Sequence, residues 1–317
     1  MRDQSVGNII SNWQDYYPSL FGKHPLQLEH TIHRSELFSD EALIDLLENA
    51  PRENYHVTTM DKRVQNPTYK REGQFGDLSG KEILAAVRKG HIWINLRDPQ
   101  EIRSKYGELL ADIYREFENR VPGLKTYKQK MTILISSPNL KVKYHMDVPG
   151  QTLWQMRGRK KVFLYAASAP FMSQQALEKL TINEVHETDI EFKDWYDDHA
   201  LTFELEPGQM LHWPLNCPHR VENHDSLNVS LTTEHWTNEL RNQYAVNFGN
   251  AMLRKLGMKN LSQNPSGLGL YAKAAITAAT KISGMQKKLS KPYLIDFQVD
   301  PDAPDCVRDI PAVEFNK

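Results

Sequence analysis

Hydrophobic positions recur along this chain in three regimes. Over the first 125 residues they follow the helical period. "SDEALIDLLENA" opens at a cap-type Ser39 and sets Leu43, Leu46 and Leu47 on one face. "SGKEILAAVRKG" repeats that plan from Ser79 to a stop at Gly90. "KYGELLADIYREFENRVPG" spaces Leu109, Ile113 and Phe117 four apart and ends at Pro122 and Gly123. Between the last two, "HIWINLRD" alternates Ile92 and Ile94 against Trp93 and Asn95, the pattern of a short strand. Residues 1–125 therefore read as a mostly helical region that packs on a core.

From about Lys130 the period falls to two. "MTILISSP", "QTLWQM", "KKVFLYAA", "LTFELEPG" and "SLNVSLTTEHW" are short, rich in β-branched and aromatic residues, and separated by turn residues. No helix long enough for a parallel crossover separates most of them, so a largely antiparallel pair of sheets or a barrel-like roll is expected over residues 126–237. An acidic insertion, "SQQALEKLTINEVHETDIEFKDWYDDHA", interrupts it at about 172–200 and should lie at one edge. Its stretch from Glu178 to Asp198 either covers a site or is a solvated excursion.

Residues 238–317 return to the helical period and end in an extended tail. "TNELRNQYAVNFGNAMLRKLG" places Leu240, Tyr244, Phe248, Met252 and Leu256 at four-residue steps. "GLGLYAKAAITAATKISGM" offers Leu268, Tyr271, Ala275, Ala278 and Ile282 as a stripe. Packing within the chain is the simpler expectation, and a homodimer through these helices is the other.

Composition narrows the class. Of 317 residues, 40% are hydrophobic and 25% charged, as in a soluble globular protein with a sizeable core. The net charge of −1 argues against a surface that is basic throughout, so nucleic acid is not indicated. The two cysteines, Cys217 and Cys306, lie far apart, form no disulfide framework and suit a reducing compartment. Neither a secretion signal nor a membrane span is apparent, and a cytoplasmic protein is expected.

Within "KVKYHMDVPGQTLWQMRGRKKVFLY", His145 and Asp147 stand two residues apart. Alone, such a pair is unremarkable among twelve histidines. On a strand, however, residues i and i+2 project from one face. A third ligand is available in "PGQMLHWPLNCPHRVEN", where His219 opens a short extended segment and His212, between Leu211 and Trp213, sits in or near the core. Two histidines and one carboxylate leave the other positions of a metal open, as in mononuclear non-haem Fe(II) sites. A closed structural zinc site would draw on cysteines, and Cys217 reads as a turn residue.

The basic residues that follow divide by strand parity. In a regular strand Trp154, Met156, Gly158, Lys160, Val162 and Leu164 share one face, with Arg157, Arg159 and Lys161 on the other. Lys160 alone lies in an apolar row, where a cation needs an anionic partner. A bulge at Gly158 would upset this parity.

Together "YHMD", "LWQMRGRKKVFLY", "PGQMLHWPLNCPHRVEN" and "SLNVSLTTEHW", from about Thr132 to Trp236, resemble the jumonji-C group of Fe(II)/2-oxoglutarate oxygenases. Within it they resemble the cupin-like branch that contains the asparaginyl hydroxylase of hypoxia-inducible factor. The resemblance implies a double-stranded β-helix (jelly-roll) core with flanking helices, iron on His145, Asp147 and His219, and Lys160 on the distal carboxylate of 2-oxoglutarate. It implies a dioxygenase that hydroxylates or demethylates a substrate, a protein side chain or a small molecule, releasing succinate and CO2. The branch's threonine three residues before the first ligand is Val142 here, so that contact is missing. Trp93 and Asn95 stand as substitutes for an aromatic hydroxyl. Asn228 and Ser230 share a strand face toward the pocket, with a structural role equally open. Two other readings remain: a cupin metalloenzyme without 2-oxoglutarate, or a non-catalytic interaction protein.

Overall fold

The computed structural model describes residues 8–60, 70–285 and 292–315. Seven α-helices and fourteen strands are described. The helices are α1 (Tyr17–Leu20), α2 (Asp40–Asn49), α3 (Gly80–Lys89), α4 (Ser104–Arg120), α5 (Gln174–Thr181), α6 (Asn238–Lys255) and α7 (Gly267–Ile282). The strands run β1 (Leu26–Glu29), β2 (Tyr55–Met60), β3 (Lys70–Gln74), β4 (Trp93–Arg97), β5 (Tyr127–Ser136), β6 (Lys141–His145) and β7 (Gly150–Arg157). They continue with β8 (Lys160–Leu164), β9 (Leu201–Leu205), β10 (Gln209–His212), β11 (His219–Asn223), β12 (Asn228–Trp236), β13 (Tyr293–Val299) and β14 (Val307–Phe315).

Two sheets face each other. A ten-stranded sheet has the order β1-β10-β7-β12-β5-β4-β2-β3-β13-β14, and a four-stranded sheet has the order β6-β11-β8-β9. All pairings are antiparallel except β13 on β3. Period-two alternation assigns the faces. Ile94, Leu96, Ile133, Ile135 and Trp154 turn outward to meet Leu43, Leu46, Ile83, Ile113 and Phe117 of the N-terminal helices. Leu153, Val162, Leu164, Leu211 and Val221 turn inward between the sheets. Tyr144, Phe163 and Tyr165, on the far side of the small sheet, hold the insertion through Leu177 and Tyr196.

The N-terminal helices begin where local chemistry places them. The Ser39 side chain accepts from the Ala42 N–H, and Ser79 with Glu82 forms a reciprocal capping box.

Three expectations need refinement or correction. The first 125 residues hold more helix than strand, as expected, but they also supply β1 to β4, and the C-terminal tail adds β13 and β14 to the same sheet. Every residue of β2 is buried. A strand covered on both faces loses the alternation that would have marked it. Second, Trp154 to Leu164 is not one strand. The chain leaves the large sheet at Arg157 and joins the small one at Lys160, turning at Gly158 with φ of +74°. A Cβ there would lie 2.5 Å from the Leu227 carbonyl oxygen. The turn reverses parity: Trp154 and Met156 face the helices, whereas Lys160, Val162 and Leu164 face inward. Third, the apolar stripe of α7 does not pack within the chain. Leu268, Tyr271 and Ile282 are 88%, 70% and 88% exposed, and α7 instead buries Leu270, Lys273, Thr277 and Thr280.

Candidate active site

Between the sheets lies a cavity of about 100 Å³. Its metal-type donors come from β6, the turn after it and β11. His145 and His219 are cross-strand partners, and between that pair and Val142–Val221 the register slips by one residue. This bulge lets Val142 and His145 both face the cavity despite their odd separation. It also turns the Lys143 carbonyl onto His145, 2.7 Å from Nδ1. His219 Nδ1 meets the Cys217 carbonyl at 3.2 Å. A carbonyl only accepts, so in each ring Nδ1 carries a hydrogen and Nε2 is the nitrogen left to face the cavity.

His219 Nε2 lies 3.3 Å from Asp147 Oδ2, and the two imidazole centroids are 4.1 Å apart. The three residues can bring their donor atoms within 4.8 Å of one another, the only such cluster among the described residues. Burial, helped by His219, pushes the His145 pKa down to about 4, which keeps it neutral. Burial opposes ionisation of Asp147, but hydrogen bonding and charge interaction with His219 outweigh it and hold its pKa low. Two imidazoles and one carboxylate are a donor set suited to a divalent first-row ion with open positions. His212 is elsewhere. It stacks on Phe21 at 3.9 Å and takes a hydrogen bond from the Gly22 N–H, so it belongs to the core.

Lys160 reaches the cavity from β8. It is 4% exposed, has no hydrogen-bond or ion-pair partner among the described residues, and burial alone pushes its pKa down to about 7. Arg157 pairs with Asp40 at 2.6 Å and Arg159 with Glu206 at 3.2 Å, both outside the cavity.

Trp93 and Asn95 line the cavity, and Asn95 Oδ1 is buried without a partner among the described residues. Asn228 and Ser230 do not line it. They occupy the inward row of β12, but Gln155 takes them both: its Nε2 donates to Asn228 Oδ1 at 2.8 Å, and Ser230 Oγ donates to its Oε1 at 2.7 Å. Their role is to join β7 to β12.

The sequence reading missed Arg97, Ser136, Gln151, Glu187 and Glu234 in the lining. Arg97 continues the Trp93–Asn95 row, and Glu234 continues the Asn228–Ser230 row, so both were within reach of parity. Glu187 arrives from the acidic insertion, whose pattern carried no such signal. Burial, with the Asp147 and Glu187 carboxylates nearby, raises the Glu234 pKa to about 7.

A family model described as a cupin-like domain matches residues 8–239. No curated protein matches the chain. Among solved structures, that of Escherichia coli ycfD is similar over 89% of this chain and 71% of its own, at 15% identity and a TM-score of 0.50. A further structure, of the E. coli ribosomal oxygenase YcfD in complex with cobalt and 2-oxoglutarate, covers 90% of this chain and 73% of that one, at 14% identity and a TM-score of 0.48. At such identities the likeness is one of fold.

Proposed function

The chain belongs to the cupin-like family, and from that premise we propose that it is an Fe(II)- and 2-oxoglutarate-dependent oxygenase. It hydroxylates, or oxidatively demethylates, its substrate with release of succinate and CO2. One observation carries the reading: a two-histidine, one-carboxylate cluster shares a cavity with Lys160, a buried cation that has no partner among the described residues.

His145, Asp147 and His219 would hold the iron, which when bound supplies the activation of dioxygen. Lys160 would hold the distal carboxylate of 2-oxoglutarate through a charge-assisted bond, recovering what its burial costs. Leu153, Val221 and Trp213 keep water from the space between these two ends. Arg97, Glu187 and Glu234 line the same cavity and would meet the substrate, a protein side chain or a small molecule. A cupin enzyme that binds metal without a keto acid offers no reason for Lys160. A non-catalytic protein offers none for three converging ligands.

Anaerobic addition of Fe(II) and 2-oxoglutarate should give a weak visible charge-transfer band that is absent in His145→Ala and Lys160→Ala. No band, together with no succinate formed in air, sinks the proposal.

Cys217 and Cys306 are both buried and free, which supports a reducing, cytoplasmic setting. Among the described residues no helix is long and apolar enough to cross a membrane. The outward face of α7 carries Leu268, Tyr271 and Ile282, and we propose that a second copy of the chain covers it.

A further inference from the structure

Ser136 ends β5 inside the cavity, 3% exposed. Its hydroxyl accepts a hydrogen bond from Asn223 Nδ2 at 2.8 Å. The same Nδ2 donates to the Ser137 carbonyl at 2.9 Å. A carbonyl only accepts, so this second bond fixes which end of the Asn223 amide faces Ser136. The Ser136 oxygen is thus engaged as an acceptor, and its own hydrogen has no acceptor among the described residues. That unspent donor sits in a cavity that also holds Lys160, an unspent cation.

The strands bring the three residues together. Asn223 on β11 is directly opposite Lys160 on β8, and directly opposed side chains are near neighbours. Asn223 therefore stands between the lysine and the serine. The nearby wall is apolar, formed by Leu134, Val142, Leu153 and Val221. Position 142, three residues before His145, supplies no hydroxyl. A slot with apolar walls that ends in one ammonium and one aimed hydroxyl suits a carboxylate, which accepts from both.

Resting on the oxygenase reading above, we infer that Ser136 is a second anchor for the distal carboxylate of the cosubstrate, and that Asn223 is the positioning residue that turns the serine hydroxyl toward it. The metal cluster binds the keto-acid end of any 2-oxo acid. Lys160 and Ser136 together make the site select a dicarboxylate over a 2-oxo monoacid.

The test is binding, measured by calorimetry on Mn(II)-loaded protein without turnover. Probes are 2-oxoglutarate and pyruvate, which lacks the distal carboxylate. Ser136→Ala should weaken 2-oxoglutarate about tenfold or more, the usual scale for one hydrogen bond to a charged group, and leave pyruvate unchanged. Asn223→Ala should weaken 2-oxoglutarate by less, again sparing pyruvate, and should add nothing in the Ser136→Ala background, because a positioning residue acts only through the group it aims. Unaltered 2-oxoglutarate affinity in Ser136→Ala, with the variant's melting curve intact, overturns this inference alone. Equal loss for both probes overturns it too, since that marks a general disturbance. If the wild-type protein binds Mn(II) but not 2-oxoglutarate, the oxygenase reading fails and takes this inference with it.

Discussion

Lys160 shows how a single residue trades stability for binding. Its pKa of about 7 in the folded protein compares with 10.5 for an unburied lysine, and burial is the cause. Between those values the unfolded chain holds more protons than the folded one, so stability rises with pH across that window. Below about pH 7 both states are protonated and the cost of the buried charge is paid in full. Lys160→Met should therefore stabilise the ligand-free protein at pH 7 by roughly 2 kcal/mol. The gain should shrink toward pH 10, and the same variant should lose 2-oxoglutarate binding. Denaturant titrations of both proteins at pH 6, 7.5 and 9.5 measure this. A variant no more stable than wild type, or a difference independent of pH, would falsify the account of Lys160 as an unpaired buried cation.

At the scale of elements, α7 is amphipathic in the reverse sense. Its polar residues face α6, with Thr277 Oγ1 donating to the Lys273 and Ala245 carbonyls at 2.8 and 3.3 Å, and Lys273 Nζ donating to the Ser262 carbonyl. Carbonyl partners make such burial tolerable. Close approach is permitted by Gly249, where an added Cβ would come within 2.5 Å of the Lys273 Cβ. Gly249→Ala gains about 1 kcal/mol of helix propensity but forces the helices apart at about 1–3 kcal/mol. We expect net destabilisation and faster hydrogen exchange along α7, by mass spectrometry. Unchanged protection in α7 counts against a tight α6–α7 contact. The spacing of Leu268, Tyr271, Ala275, Ala278 and Ile282 was legible in the sequence, but its direction was not. Periodicity reports a face without saying what the face meets.

For the whole molecule, that outward face predicts association. The wild-type chain should sediment at twice its monomer mass at micromolar concentration, and Tyr271→Asp should sediment as a monomer while keeping the melting behaviour of its own fold. A wild-type monomer across that range disposes of the dimer. The same scale explains why the sheet is wider than its core strands. β3 and β13 pair across more than two hundred residues of sequence, with Arg71 bound to Asp296 at 2.9 Å. Pairing over such distances leaves little trace in any local window.

What the sequence determined by itself was whatever depends on residues a few positions apart. The Ser39 and Ser79 caps, the alternation of β4 and β5, and the His145–Asp147 spacing are of this kind, since hydrogen bonds at i+3 and faces at i+2 are set within one turn or pleat. What only the tertiary structure decided was which distant groups meet. The bulge that aims His145, the turn at Gly158 that points Lys160 inward although Trp154 points out, the capture of Asn228 and Ser230 by Gln155, and the aiming of Ser136 by Asn223 all join residues from separate strands. Their geometry arises from register and sheet packing, which no single strand encodes alone.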